Sequence, residues 1–273
     1  MKIVVLGSTG MLGNAVTKYF TEIYGENNII PTYRKLVGIE LKNSKEYDPI
    51  IYPDNISIGP LPNCDVVINC IGVIKPFMKD NVLQAILLNS VFPRKLANYC
   101  SRNKIKLFHI TTDCVFSGKD GQYTENSLHD ALDDYGKSKS LGEPENCMVI
   151  RTSIIGEEIH KNASLIAWVK SEAGKEVKGF TNHLWNGITT KQYAKIIHTI
   201  IENNLYQEGL YHAFSPNSVN KKELVEAISD RFDLNIKVNP VEAQPPCDRT
   251  LTTVKDLCEK LNIPTIQEQL SDL

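Results

Sequence analysis

No stretch of this 273-residue chain approaches the roughly 18 consecutive apolar residues of a bilayer-spanning helix, so a helical membrane protein is not expected. Charge of one sign is also lacking. Thirty Lys and Arg stand against 32 Asp and Glu, and a net charge of −2 leaves no basic footprint for nucleic acid or an anionic membrane surface. The seven cysteines (64, 70, 100, 114, 147, 247 and 258) are odd in number and have no C-x-x-C spacing, which argues against a disulfide framework. Several lie in apolar contexts such as Val67-Ile68-Asn69-Cys70-Ile71, and they read as reduced thiols of a cytoplasmic protein. The six histidines lack H-E-x-x-H or any other metal-ligand spacing, so no metal is expected. Met1-Lys2 leads into only four apolar residues before a glycine, too few for a signal-peptide core.

What is present is alternation. Apolar runs at Ile3–Leu6, Ile29–Thr32, Val66–Cys70, Leu107–Thr111 and Met148–Arg151 read as buried strands, separated by amphipathic stretches near 11–24, 80–102 and 134–142. This pattern predicts a Rossmann-like, doubly wound parallel α/β sheet. After residue 155 the pattern changes. Helices are expected at 162–173, 191–203 and 221–232, the last capped by Ser218 or Asn220, and a final one at 253–261 before Pro264. The segment 179–190 reads as a Gly/Asn/Thr-rich loop, and 209–214 as a strand. The expected organisation is a nucleotide-binding domain over 1–155, with 188–205 packing back on it, and a smaller α/β C-terminal substrate lobe over 156–273.

The first strand runs straight into Gly7-x-x-Gly10-x-x-Gly13. Glycines at this spacing between strand and helix suit a tight turn that brings the backbone of Gly7, Thr9, Gly10, Met11 and Leu12, and the positive end of a helix, to a dinucleotide pyrophosphate. The acid that usually grips a ribose 2′-hydroxyl about 20 residues on is missing. In its place stand Arg34 and Lys35, two cations suited to a 2′-phosphate, so the expected cofactor is NADPH, with NADH as the alternative. The turn Asn69-Cys70-Ile71-Gly72 ends the presumed central strand on the same sheet edge, and Asn69 and Gly72 are candidate cofactor contacts.

Tyr135 and Lys139 are four apart in a helix-compatible segment and emerge on one face. A phenol with an ordinary pKa near 10 donates poorly at neutral pH. An ammonium about 4 Å away, at an effective dielectric near 20, is worth on the order of 4 kcal/mol, about a thousandfold in acidity. On this reading the lysine tunes the tyrosine as a general acid. Thr112, at the end of the strand before that helix, is placed to hydrogen-bond the same substrate oxygen; its neighbours His109 and Thr111 read as core.

These motifs carry a resemblance. Gly7-x-x-Gly10-x-x-Gly13, Thr111-Thr112-Asp113-Cys114-Val115-Phe116-Ser117-Gly118, Tyr123-Thr124-Glu125, Tyr135-Gly136-Lys137-Ser138-Lys139-Ser140-Leu141-Gly142-Glu143 and Arg151-Thr152-Ser153 resemble the extended short-chain dehydrogenase/reductases, and among them the dTDP-4-dehydrorhamnose reductases. The resemblance covers residues 1–155 well and 180–205 loosely. It implies an NAD(P)H-dependent oxidoreductase that reduces the 4-keto group of a nucleotide sugar, in deoxysugar and cell-surface polysaccharide biosynthesis. Thr112 would orient the oxygen, Tyr135 protonate it, and Lys139 bind the nicotinamide ribose. A nucleotide-sugar substrate and a homodimer are the implied partners.

Two departures open alternatives. Ile154 follows Arg151-Thr152-Ser153 where the family often has an aromatic residue. Cys114 stands where related 4,6-dehydratases carry an acid, which argues against dehydration, and a thiol at that spacing is similar to nucleotide-sugar epimerase-reductases, with His183 as its natural partner. A bifunctional 3,5-epimerase/4-reductase is therefore one alternative. Another is a non-catalytic NADP-binding regulatory subunit, since the reductase branch is similar to the β subunit of methionine adenosyltransferase. Trp185, Asn186 and Arg249 are the remaining candidates for substrate contacts, Arg249 for a diphosphate.

Overall fold

The computed structural model describes residues 1–35, 41–49, 58, 61–160 and 163–273. Residues of β1 (Ile3–Leu6) alternate between two cores, as the period of a strand dictates. Ile3 and Val5 face α1 (Met11–Tyr24), while Val4 and Leu6 face the opposite layer. The same division continues through β4 (Val66–Asn69), β5 (Lys106–Thr112) and β6 (Met148–Thr152), where Ile68, Phe108 and Ile150 join the first core and Val67, Leu107 and Val149 the second. Each strand is therefore apolar on both sides, which explains the near absence of polar alternation in the sequence.

Between β1 and β4 lie β2 (Ile29–Tyr33) and β3 (Lys45–Glu46). The stretch expected as one helix over 80–102 is broken. A 3₁₀ turn over Lys75–Asp80 precedes α2 (Val82–Ile86), a π-helical segment over Leu87–Val91, and α3 (Phe92–Arg102). Pro93, which lacks an N–H, opens α3, and buried Asn89 sits in the π segment. α4 (Asp134–Leu141) follows β5 and is capped by the Asp133 side chain.

Past residue 155 the chain moves between two bodies. β7 (Ile154–Ile155), α5 (Leu165–Ser171), β8 (Glu176–Phe180), β9 (His183–Trp185) and β10 (Ile188–Thr189) come first. The expected loop over 179–190 thus holds parts of three short strands; each pairs with a distant segment, so none leaves a local period. α6 (Thr190–Glu202) then returns to pack on α1, where Tyr19 and His198 meet through Oη and Nδ1 at 3.1 Å. β11 (Gly209–His212) joins the central sheet, whose seven parallel strands run β11–β6–β5–β4–β1–β2–β3.

The remaining elements are β12 (Val219–Asn220), α7 (Lys221–Arg231), β13 (Lys237–Val241), β14 (Cys247–Asp248), α8 (Leu257–Leu261) and α9 (Ile266–Ser271). Asn220 rather than Ser218 caps α7, in a reciprocal box with Glu223. Helix α9, which the sequence reading did not include, starts from a second box between Thr265 and Glu268. Trp185, Leu224, Ile228, Ile266 and Leu270 form a separate apolar core with Ile166 and Val169 of α5. No helix among the described residues is long and apolar enough to cross a membrane. No cluster of three or more His, Cys, Asp or Glu residues among them suits a metal.

Candidate active site

Strand order reverses between β1 and β4, the switch point at which open α/β sheets place ligands. The register brings the relevant strand ends together: Leu6 lies opposite Asn69, and Asn69 opposite His109. The turns after β1 and β4 therefore share one edge with the end of β5.

At that edge Gly7 adopts φ +79°, a conformation that glycine tolerates best, and its N–H donates to Thr32 Oγ1 at 3.1 Å. Ser8 and Thr32 lock the turn onto the sheet. Both hydroxyls donate to the Val5 carbonyl at 3.0 Å, and the Ser8 N–H donates to the Thr32 carbonyl at 2.9 Å. A Cβ on Gly13 would collide with the Gly7 carbonyl, so this glycine is needed for packing. Gly10 differs. It is exposed, its φ is −83°, and a Cβ there would meet only Gly7 O at 3.4 Å. Nothing in the chain itself requires glycine at position 10. Its lack of a side chain leaves open the N-terminus of a 14-residue helix that has no side-chain cap. That open cradle fits a pyrophosphate. Thr9 and Met11 are half-buried beside it, whereas the Leu12 side chain points into the core, leaving its backbone alone to face a ligand. Arg34 and Lys35 are exposed just beyond β2 and make no hydrogen bond or ion pair among the described residues.

Asn69 is placed differently from its expected role. Its side chain is fully buried, with Nδ2 3.0 Å from His109 Nδ1 and Oδ1 accepting from the Ile71 N–H. Both ends of the amide are engaged by the protein, so it shapes the turn rather than touching a cofactor. Burial holds the His109 imidazole well below its ordinary pKa, and the nearby Lys139 charge adds to the effect. Gly72 remains at the edge, where a Cβ would lie 3.5 Å from Asn89 Oδ1 and 4.0 Å from Lys139 Nζ. Asn89 was not singled out in the sequence. It accepts from the Val73 N–H at 2.8 Å and donates to the Val73 carbonyl and to Ser138 Oγ, tying the β4 turn to α4. Its π-helical setting leaves no regular period to reveal it.

The structure brings Thr112, Cys114, Tyr135 and Lys139 together at the end of β5. Thr112 Oγ1 donates to Asp113 Oδ1 at 3.0 Å and accepts from the Cys114 N–H at 3.1 Å, capping a 3₁₀ turn over Asp113–Val115. The electrostatics of the pair differ from the sequence expectation. Burial dominates at Tyr135 and pushes the phenol well above its ordinary pKa, the Cys114 thiol adds to the rise, and a hydrogen bond with Thr112 opposes it. Lys139 is engaged elsewhere. Its ammonium donates to the Ile110 carbonyl at 2.9 Å, and burial brings it down to about 8 against the pull of Glu143. The helical spacing puts both groups on one face, but the lysine is held by the strand floor. Burial also pushes the Cys114 thiol up to about 12, so it stays neutral. β5 ends at Thr112, so Cys114 reaches the site from the 3₁₀ turn and not as a continued strand. His183, its expected partner, packs its ring against Phe180, with centres 4.8 Å apart and planes tilted by 41°.

The substrate candidates divide. Trp185 belongs to the lobe core and Asn186 is buried. The Asn186 amide donates to the Leu251 carbonyl at 2.8 Å and accepts from the Leu251 N–H at 2.9 Å. Both anchor the lobe: Trp185 through its packing, Asn186 through both ends of its amide. Arg249 is half-buried, with Nε donating to Phe116 O at 2.9 Å and Nη2 to Ser117 O at 3.1 Å, beside the Asp113 and Cys114 turn. Beneath this region the fully buried Arg151 binds Glu143 through Nε at 3.2 Å and Nη2 at 2.6 Å, and its guanidinium lies 5.0 Å from the Phe116 ring centre. A buried charge this well paired fixes the floor of the site. All seven cysteines are free.

Comparison with known proteins agrees with this architecture. The chain is 26% identical over 265 residues to methionine adenosyltransferase 2 subunit beta of Danio rerio, covering 89% of this chain and 78% of the relative. It is 23% identical over 261 residues to the spore coat polysaccharide biosynthesis protein SpsK of Bacillus subtilis (strain 168), covering 91% and 86%. Its fold is similar to the crystal structure of dTDP-4-dehydrorhamnose reductase from Bacillus anthracis str. Ames in complex with NADP, with a TM-score of 0.74 and 21% identity over 99% of this chain and 97% of that one. A family model described as the RmlD substrate binding domain matches residues 1–251, and the chain belongs to that family.

Proposed function

We propose that the chain is an NADPH-dependent reductase of a 4-keto-6-deoxy nucleotide sugar. The observation that carries this reading is the meeting of Thr112, Tyr135 and Lys139 at the sheet edge that also holds the open Gly10 cradle. NADPH, when bound, supplies the hydride. The backbone around Gly10 would hold its pyrophosphate, Arg34 and Lys35 its 2′-phosphate, and Lys139 beside Gly72 its nicotinamide ribose.

Tyr135 carries its proton throughout the neutral range because burial keeps the phenol protonated. Transfer to the substrate still runs downhill, since an alkoxide formed from a carbonyl is a stronger base than a phenolate. Thr112, fixed between Asp113 and the Cys114 N–H, positions the same oxygen. The neutral Cys114 thiol supplies no base for removing a proton beside the carbonyl, so reduction without epimerisation is the reading it favours. SpsK, by its name a polysaccharide biosynthesis protein, supports a place in the making of surface sugars.

A second reading, a regulatory subunit, is favoured by the 26% identity to methionine adenosyltransferase 2 subunit beta. One experiment separates the two: incubation with NADPH and a panel of dTDP-, UDP- and GDP-linked 4-keto-6-deoxy sugars. Oxidation of NADPH with such a sugar supports the reductase. No oxidation with any of them, together with co-purification of a methionine adenosyltransferase, overturns it in favour of the regulator.

A further inference from the structure

His109 lies in β5, three residues before Thr112, between Asn69 of β4 and Val149 of β6. Its imidazole is buried, and the mechanism above makes no use of it. A histidine here is a costly choice for a core position. Its Nε2 has no hydrogen-bond partner among the described residues, and the Gly142 backbone acts on the ring without satisfying that atom. An apolar residue would strand no polar group on this side. What the ring gains is at its other nitrogen, Nδ1, 3.0 Å from Asn69 Nδ2.

The Asn69 amide dictates the direction of this bond. Its Oδ1 accepts from the Ile71 N–H at 3.1 Å, so its other end is the NH₂ group, and His109 Nδ1 must accept from it. The ring proton is therefore on Nε2, and an imidazolium would set two donors against each other. Burial and the Lys139 charge keep the ring neutral, as the bond requires.

At Ile71 this line of contacts reaches the edge where a dinucleotide would lie. A Cβ on Gly7 would stand 3.1 Å from Ile71 Cγ1 and 3.3 Å from Ile71 N, so Ile71 is the wall against which the glycine turn packs. Two residues on, Asn89 holds both the N–H and the carbonyl of Val73. Gly72 lies between these two clamps, beside Lys139 Nζ. The lysine in turn donates to the carbonyl of Ile110, the neighbour of His109. One strand thus sets the lysine directly and, through Asn69, the turn that faces it.

We propose that His109 is a positioning residue for the dinucleotide: through Nδ1 it orients the Asn69 amide, which fixes Ile71 and with it the 69–73 turn against Gly7 and Lys139. It touches no reacting atom. The proposal rests on the cofactor placement given above and concerns how tightly the dinucleotide is held, not which sugar is reduced.

Fluorescence titration of the full chain with NADPH and with NADH, well below the melting temperature, tests it. His109→Leu removes Nδ1 and keeps the position apolar. His109→Asn returns an acceptor, because an asparagine Oδ1 stands as many bonds from the backbone as a histidine Nδ1. The expected result is about tenfold weaker binding of both dinucleotides to His109→Leu, with His109→Asn within about twofold of the parent. Asn69→Ala should show a similar loss, and adding His109→Leu to it should weaken binding no further, because the ring acts through the amide. Parent-like affinity of a folded His109→Leu overturns the proposal. So does a further loss in the double variant, or equal losses in His109→Leu and His109→Asn, either of which makes the ring a packing residue. Should His109→Leu not fold, nitrogen-15 NMR of the parent's imidazoles decides, with the His109 signals identified by their loss in His109→Asn. A proton on Nε2 supports the proposal, and a proton on Nδ1 overturns it. A chain that binds NADPH, shows these losses and reduces no 4-keto sugar keeps the proposal and rejects the reductase. Turnover with unchanged affinity in His109→Leu does the reverse, and a parent that binds no dinucleotide overturns both.

Discussion

The sheet edge formed by β1, β4 and β5 and the small sheet β12–β9–β14 that borders it are built by different means. At the sheet edge, strand, turn and helix follow each other within a few residues, and the glycine turn is held by Ser8 and Thr32, only 24 residues apart. In the small sheet, strands of two or three residues are held by partners from far along the chain. Asn186 meets Leu251 across 65 residues, and Arg249 meets Phe116 across 133. Local construction fixes the glycine turn, while long-range construction holds the small sheet.

The largest effect is expected at the sheet edge. Tyr135→Phe removes the proton source and should lower turnover by about 10²–10⁴-fold, with NADPH affinity within about twofold of the parent. Steady-state rates and cofactor titration check both halves.

Lys139 gives the next largest effect, read as stability against pH. Its folded pKa lies below its unfolded value, so the unfolded chain binds more protons between about 8 and 10.5, and stability attributable to this group rises as pH climbs through that window. Lys139→Met should abolish the rise, worth on the order of 3 kcal/mol, in denaturant titrations of the apoprotein. A gap between variant and parent that stays constant from pH 7 to 10 contradicts the assignment.

Two glycine substitutions sharpen the contrast within one turn. Gly13→Ala forces a Cβ into the Gly7 carbonyl and should cost about 1–3 kcal/mol of stability. Gly10→Ala should leave the melting temperature near the parent's while weakening NADPH binding, because its Cβ fills only the open cradle. On the lobe side, Asn186→Ala should cost about 1–3 kcal/mol by leaving the Leu251 backbone unpaired, with little change in NADPH affinity. The smallest effect is expected from the double substitution of Arg34 and Lys35 by Ala, which should weaken NADPH by about tenfold and leave NADH unchanged.

The same contrast decides what could be read from the residues alone. Strand β1 and helix α1 fall where the apolar run and the glycines place them, because each is defined by its own period. The break in the 80–102 helix was less legible. A π segment follows from how Asn89 is held by Val73 and Ser138, and neither partner is visible in a helical period. Helix α9 was missed although its capping residues, Thr265 and Glu268, stand three apart in the sequence. At the site, the meeting of Thr112 with Tyr135 followed from motif order, but the electrostatics did not. The i,i+4 spacing says that Lys139 shares a face with Tyr135; it does not say that Ile110 holds the ammonium or that burial dominates at the phenol. Trp185 and Asn186 looked available for a ligand because their partners, Gly187 aside, lie far along the chain.

The most direct measurement follows deuterium from NADPH labelled at its nicotinamide C4 into a 4-keto-6-deoxy nucleotide sugar, by NMR of the product. The account expects label at sugar C4 with the parent protein and a yield cut at least a hundredfold with Tyr135→Phe at equal time. Absence of label at C4 with every 4-keto sugar offered, or equal labelling by the two proteins, would contradict it.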